Sequence, residues 1–164
     1  MQVRLLPGAL NPDMPNFNKI IYTSIILVFV TLGVSWPQPP GSGGEGKKLV
    51  YFKNNSFLVE VADTKQKQGK GLMFIKGLPV NSGMLFIYKD EAPRSFYMKN
   101  TYIPLDIIWM DKEKKVVFIK KNAEAAKLGA YETIQPQEEA MYVLELNAGS
   151  SDKIGLRIGD KFQF

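Results

Sequence analysis

The segment LDIIWM, residues 105–110, constrains the fold more than any other part of the chain. Successive side chains of a β-strand point to opposite faces, so one face of this segment is apolar throughout. The other face is apolar except for one carboxylate, Asp106. A strand that is apolar on both faces belongs in a core. We therefore expect Asp106 to be at least half buried.

The region from residue 48 onward consists of short apolar segments separated by turn residues. The charged stretch DKEK, residues 111–114, predicts a hairpin between two of them. Asp63 or Thr64 is expected to cap one short helix, and SSDKIG predicts a second. Turn geometry with positive φ is expected at Gly83, Gly149 and Gly159. The predicted strands cover residues 56–62, 83–88, 95–99, 105–110, 115–120 and 141–146, followed by a final strand near the C-terminus.

These patterns predict the fold class. It is mainly β or α+β, with a compact, small barrel-like or curled sheet of about seven short strands and two short helices. One transmembrane helix is expected to precede this domain.

The expected transmembrane segment begins at Ile20 and ends at Trp36, and it contains no charged residue. As a helix it would be about 25 Å long, which is close to the thickness of the hydrocarbon layer. A cleaved signal peptide is the alternative, because small residues follow the apolar run. The stretch PQPPGSGGEG after Trp36 has the composition of a linker.

The predicted organisation therefore has four parts. Residues 1–19 form a short leader, 20–36 an anchor or signal segment, 37–47 a Pro/Gly/Ser linker and 48–164 a globular β-rich domain. The true start is Met1 or Met14. We expect a single-pass membrane protein with the domain outside the cytoplasm, or a secreted domain if the segment is cleaved.

Composition excludes several classes of chemistry. The chain has no Cys and no His, which removes Ser-His-Asp and Cys-His catalysis and most zinc sites. Its formal net charge is +5, but the lysines are scattered, so a nucleic-acid partner is not expected. Methionine thioethers can bind Cu(I), yet these methionines lie in apolar runs that favour packing. No metal and no cofactor are predicted.

A second carboxylate, Glu145, also lies between apolar neighbours. A buried carboxylate without a partner is unfavourable, so both acids need hydrogen-bond or charge partners. One interpretation is a buried polar network in which Asp106 accepts N–H groups of the preceding turn. The other interpretation is a ligand-binding pocket. Tyr97, Tyr102 and Trp109 could then be stacking surfaces for the ligand, although the sequence around Trp109 favours a place in the core. The candidate pocket residues are Lys99, Asn100, Thr101, Asp106, Glu145 and Asn147.

Six ordered blocks carry a resemblance to a known family. They are GLM (71–73), GMLF (83–86), FYMKNT (96–101), IPLDI (103–107), VLELNAG (143–149) and GLRIGD (155–160). In this order they resemble the domain of unknown function 192, a bacterial and archaeal family. The family often has Trp where this chain has Tyr97. The resemblance implies a compact β-rich fold and an N-terminal signal or anchor, and it implies no particular activity.

Two function classes remain open. The favoured one is a non-catalytic binding or accessory module of the cell envelope, attached to the membrane through residues 20–36. Its partner would be an envelope polymer, a small polar ligand or a protein. The alternative is an envelope enzyme in which Asp106 or Glu145 acts as acid or base and Lys99 stabilises an anion.

Overall fold

The computed structural model describes residues 46–127 and 129–164. The predicted anchor or signal segment and most of the linker lie outside these residues. Within the described part, no helix is both long enough and apolar enough to cross a membrane. The elements are β1 (Lys47–Phe52), β2 (Asn55–Ala62), α1 (Lys65–Lys70), β3 (Ser82–Pro93), β4 (Phe96–Tyr97), β5 (Leu105–Met110), β6 (Val116–Ala123), β7 (Thr133–Ile134), β8 (Glu139–Asn147) and α2 (Ser150–Lys153).

Six of the strands form one curled sheet in the order β1-β2-β3-β8-β5-β6. The β2–β3 pair is parallel and the other pairs are antiparallel. The C-terminal segment contacts both edges of this sheet. Gln163 pairs with Tyr51 of the edge strand β1, and Lys161 pairs with Lys115, which precedes the other edge strand, β6. Strands β4 and β7 form a separate two-stranded sheet. The mainly β class and the curled sheet are confirmed.

Apolar side chains cover the large sheet on both faces. One cluster contains Trp109 and Val143 together with Phe96 of β4. The other contains Ile108 and Leu144, which are the next residues along the same strands. Strand β5 is buried at every position, as its apolar sequence predicted. The site described below lies on the first face, the one that carries Trp109.

The short helix α1 is held by its N-cap and by one of its side chains. Thr64 is the N-cap, and its hydroxyl accepts the backbone N–H of Lys67 at 3.3 Å. The side chain of Gln68 donates to the carbonyls of Ala62 and Ile87 at 3.3 and 2.8 Å. These contacts fix α1 against β2 and β3, at the rim of the first face.

Four details differ from the predictions. In place of the predicted final strand, the C-terminal segment forms two isolated bridges. Strands β1 and β7 were not expected, and the expected strand over residues 95–99 is reduced to the two residues of β4. Gly149 and Gly159 have positive φ as predicted, but Gly83 does not and lies within β3. A Cβ atom at Gly83 would lie 2.2 Å from the backbone oxygen of Glu145. Glycine is needed there because β8 approaches closely, and no turn is involved.

Candidate functional site

Asp106 is fully buried, as the apolar residues around it predicted. Its Oδ1 accepts the backbone N–H of Asn122 at 2.9 Å, and its Oδ2 accepts that of Ser151 at 2.7 Å. These donors belong to β6 and to the start of α2, whereas the expected donors were those of the preceding turn. Because each oxygen accepts a backbone N–H, the carboxylate connects three elements of the fold.

Glu145 lies on the opposite face of the sheet. Its neighbours in the ladder are Met84 of β3 and Ile107 of β5, which both belong to the first apolar cluster. The residue is 6% exposed, and its Oε2 has no hydrogen-bond partner among the described residues. The two candidate carboxylates are therefore separated by the sheet and do not share a cavity.

Glu145 lines a small cavity of about 60 Å³, which we call the Glu145 pocket. Helix α1 and the loop after it form one wall, β3 forms a second, and β4 with the turn that follows forms a third. The lining residues are Gln68, Gly69, Lys70, Gly71, Leu72, Met73, Phe86, Tyr88, Ser95, Phe96, Tyr97, Thr101 and Glu145.

Burial determines the protonation of the pocket's acidic groups. It raises the pKa of Glu145 from 4.5 to about 8. Burial also raises the pKa of Tyr88 to about 12, an effect opposed by the positive charge of Arg94 and reinforced by the negative charge of Glu145. At neutral pH the pocket therefore contains a protonated carboxyl group and a protonated phenol. Both groups can donate and accept hydrogen bonds.

Of the predicted site residues, Thr101 and Tyr97 join Glu145 in this pocket. Thr101 is buried, and its hydroxyl donates to the carbonyl of Lys99 at 3.4 Å. Tyr97 is 46% exposed, so it lies at the mouth of the pocket and offers a surface for a ligand. Tyr102 is also exposed, but its ring contacts Phe74 beside the pocket.

The other predicted residues lie elsewhere. Lys99 is exposed and does not line the pocket. Asn100 has a left-handed φ of 55°, and its carbonyl accepts the N–H of Phe74. Asn147 donates from its amide to the carbonyls of Leu78 and Pro79, both at 3.1 Å. Asn100 and Asn147 therefore hold the loop that follows α1.

Trp109 is in the core, as its sequence context favoured. Its side chain is fully buried, and its indole N–H donates to the carbonyl of Arg94 at 2.8 Å. The ring packs edge-on against Phe96 and Phe118. The ring therefore has no free face for a ligand. Its N–H group holds the connection between β3 and β4 through the carbonyl of Arg94.

Sequence reasoning missed most of the pocket wall, including Tyr88, Ser95 and the loop after α1. One signal was present for Tyr88, since alternation along β3 places it on the same face as Met84 and Phe86. That face could be matched with Glu145 only once the pairing of β3 with β8 was known.

Two larger depressions, of about 340 and 380 Å³, are open at the surface. One includes Lys47, Lys67 and Lys70, and the other includes the ion pair between Lys120 and Glu132. Their charged side chains are mostly solvated, and neither depression is lined by a buried acid without a partner. The smaller Glu145 pocket is therefore the stronger candidate.

Within residues 46–127 and 129–164, the side chains best suited to a hard metal ion are carboxylates, because the chain has no Cys and no His. No three Asp or Glu side chains there lie close enough to hold a metal ion. The methionines considered for copper are divided between the two faces, since Met84 and Met98 pack in the first cluster and Met110 in the second. Their thioethers fill apolar space.

Several known proteins are similar to this chain, and three of them are informative. A UPF0127 protein of Thermococcus kodakarensis, TK1120, is 32% identical over 104 residues, which are 62% of this chain and 61% of that protein. The chain thus spans about three-fifths of that relative's length. A solved structure of a protein of unknown function from Novosphingobium aromaticivorans has a TM-score of 0.67 at 30% identity, covering 80% of this chain and 94% of that one.

The third is a solved structure of a protein from Sinorhizobium meliloti 1021 that is described, provisionally, as a transcription regulator. Its TM-score is 0.63 at 30% identity, with coverage of 71% of this chain and 90% of that one. The family whose sequence model matches residues 49–164 is described as "Uncharacterized ACR, COG1430". The match covers the whole β-rich domain and agrees with the resemblance found in the sequence, and the chain therefore belongs to the DUF192 family.

Proposed function

We propose that this domain is a non-catalytic binding module that takes a small polar group of its ligand into the Glu145 pocket. The observation that carries the proposal is the buried carboxyl group of Glu145, which lines a cavity and whose Oε2 has no hydrogen-bond partner among the described residues. A buried polar atom without a partner is destabilising. A ligand that supplies the missing hydrogen bond would remove this cost when it binds.

The shape of the pocket supports recognition of one functional group. A cavity of about 60 Å³ has room for a small group or a few water molecules. The rest of the ligand would remain outside, where the exposed rings of Tyr97, Phe74 and Tyr102 offer flat apolar surfaces. Aromatic residues at such positions are typical of binding surfaces for sugars and other amphipathic ligands.

A fragment screen by protein-detected NMR tests this proposal. The full chain in detergent micelles would be titrated with small polar fragments while the backbone amide signals of Gly71 and Glu145 are followed. We expect some fragments to shift these signals and to bind Glu145→Gln at least about tenfold more weakly. The matched control is Glu139→Gln, which changes an exposed carboxylate on the same strand and should bind normally. Absence of any shift at the pocket would refute the proposal.

A second candidate is an enzyme that uses Glu145 as an acid or base. It is favoured by one observation, the raised pKa of this carboxyl group in a cavity beside Tyr88. The positions of the other expected groups argue against it, since Asp106 is sealed by two backbone N–H groups and Lys99 does not line the pocket. Mass spectrometry of bound fragments after incubation separates the two functions. A binding module returns them unchanged, and an enzyme converts them unless Glu145 is replaced by Gln.

The proposal includes a location. Residues 20–36 would tether the domain to the membrane with residues 48–164 outside the cytoplasm, because the apolar segment is uncharged and is followed by a linker. Protease added to intact cells should then cleave the linker or degrade the domain. A domain that is protected until the cells are permeabilised would place it inside. The Sinorhizobium meliloti protein is described, provisionally, as a transcription regulator, but we do not propose a nucleic-acid role for this chain, because its basic residues are dispersed.

A further inference from the structure

Among the described residues, Glu145 has no charge that offsets its burial, and its Oε2 accepts no hydrogen bond. Two cations are near the pocket, Lys70 on α1 and Arg94 after β3. The guanidinium of Arg94 lies over the ring of Tyr88 and binds Asp90 at 2.9 Å. Burial is the cause of the raised pKa of Glu145, and neither cation offsets it. When Glu145 is ionised, the pocket can therefore accommodate one positive charge that the described residues do not supply.

The walls of the pocket are suited to a cation. Four aromatic rings line it, those of Phe86, Tyr88, Phe96 and Tyr97. The faces of such rings carry negative electrostatic potential and attract ammonium groups. Residues with hydroxyl groups, which can accept hydrogen bonds, are present as well, because Tyr88 and Thr101 line the same pocket as Glu145. An ammonium group has three N–H donors and no acceptor, so it matches this set.

We propose that the Glu145 pocket binds a primary ammonium group, with the ionised Glu145 carboxylate as its counter-ion. This inference rests on the proposed function, since it names the chemical group that the binding module recognises. A quaternary ammonium would fit less well, because it has no N–H to donate to Glu145. A neutral hydroxyl would satisfy one hydrogen bond but would leave no reason for Glu145 to ionise. The ammonium could belong to an ethanolamine head group or to an amino sugar.

Binding of this kind releases a proton. Below pH 8 the carboxyl group is protonated in the free protein and must lose its proton to form the ion pair. Affinity should therefore rise by about tenfold per pH unit from pH 5.5 to 7.5 and level off above pH 8. The other titratable or charged groups at the pocket are Lys70, Tyr88, Tyr97 and the nearby Arg94. Burial, which raises the pKa of Tyr88 to about 12, keeps that phenol protonated over this range.

Calorimetric titration of the full chain in detergent micelles tests the inference with methylammonium as the probe. Methanol is the neutral control and tetramethylammonium is the control without N–H donors. We expect methylammonium to bind most tightly and to release about one proton at pH 6.5, measured in buffers of different ionisation enthalpy. Glu145→Gln should weaken its binding at least about tenfold and abolish the proton release. Glu139→Gln should change neither.

Matched pairs of soluble compounds separate the two sources of the ammonium. Glycerophosphoethanolamine is compared with glycerophosphocholine, and glucosamine with N-acetylglucosamine. A preference within the first pair identifies a head group, and a preference within the second identifies an amino sugar. The inference is overturned if methanol or tetramethylammonium binds as well as methylammonium, or if no proton is released. If neutral fragments still bind at the pocket, the proposed function survives this failure; if nothing binds there, both fail.

Discussion

The burial of Glu145 predicts an unusual dependence of stability on pH. The pKa of this carboxyl group is 4.5 in the unfolded chain and about 8 in the folded domain, because burial disfavours the charged form. Between these two values the folded state retains a proton that the unfolded state has lost. The free energy of unfolding should therefore fall as pH rises from 4.5 to 8, and the contribution of Glu145 should be constant outside that range.

The size of this effect follows from the two pKa values. Each tenfold difference in proton affinity corresponds to about 1.36 kcal/mol, so Glu145 should lower the free energy of unfolding by roughly 5 kcal/mol between pH 4.5 and pH 8. That is a large part of the stability of a typical domain, which is about 5–15 kcal/mol. Stability can depend on pH for other reasons as well, so the contribution of Glu145 has to be measured against a variant that lacks only this carboxyl group.

Replacement of Glu145 by Gln provides that comparison. The amide has a similar shape and does not ionise, so the variant should gain stability relative to the natural protein by roughly 5 kcal/mol over the same pH interval. Urea unfolding followed by the fluorescence of the buried Trp109 measures it at several pH values. Glu139→Gln, on the same strand but exposed, should shift little. A stability difference between Glu145→Gln and the natural protein that does not change with pH would refute the reasoning.

Three further predictions concern the scaffold. Gly83→Ala should destabilise the domain by about 3 kcal/mol in urea unfolding, because the new Cβ would lie 2.2 Å from the carbonyl oxygen of Glu145; a loss below about 1 kcal/mol would contradict this close approach. Asp106→Asn should cost about 3 kcal/mol by the same assay while leaving ligand binding at the pocket intact, because an amide N–H₂ replaces one of the two oxygens that accept the backbone N–H groups of Asn122 and Ser151; normal stability with lost binding would contradict this assignment. Gly69→Ala should stabilise the domain by about 0.5–1 kcal/mol in thermal unfolding, because Gly69 lies in α1 and its added Cβ meets no atom within 4 Å; a lower melting temperature would contradict this.

Local sequence patterns were sufficient for most of the secondary structure. Alternation and continuous apolar runs identified the strands that became β2, β3, β5, β6 and β8, and the capping residue Thr64 located α1. The apolar residues on either side of Asp106 and Glu145 were enough to predict that both carboxylates are buried. These properties depend on residues close together in the chain, so they can be read from it directly.

The Glu145 pocket could not be predicted from local sequence, because it depends on the register in which β5 pairs with β8. Asp106 pairs with Leu146, and Glu145 pairs with Ile107, so the two acids face opposite sides of the sheet. A shift of the pairing by one residue would have placed them on the same side. Local apolar context in the chain was thus enough to establish that two carboxylates are buried. Their surroundings depend on strand pairing, which brings together residues that are distant in the chain. As a result, two backbone N–H groups satisfy Asp106, whereas Glu145 faces a cavity between α1, β3 and β4.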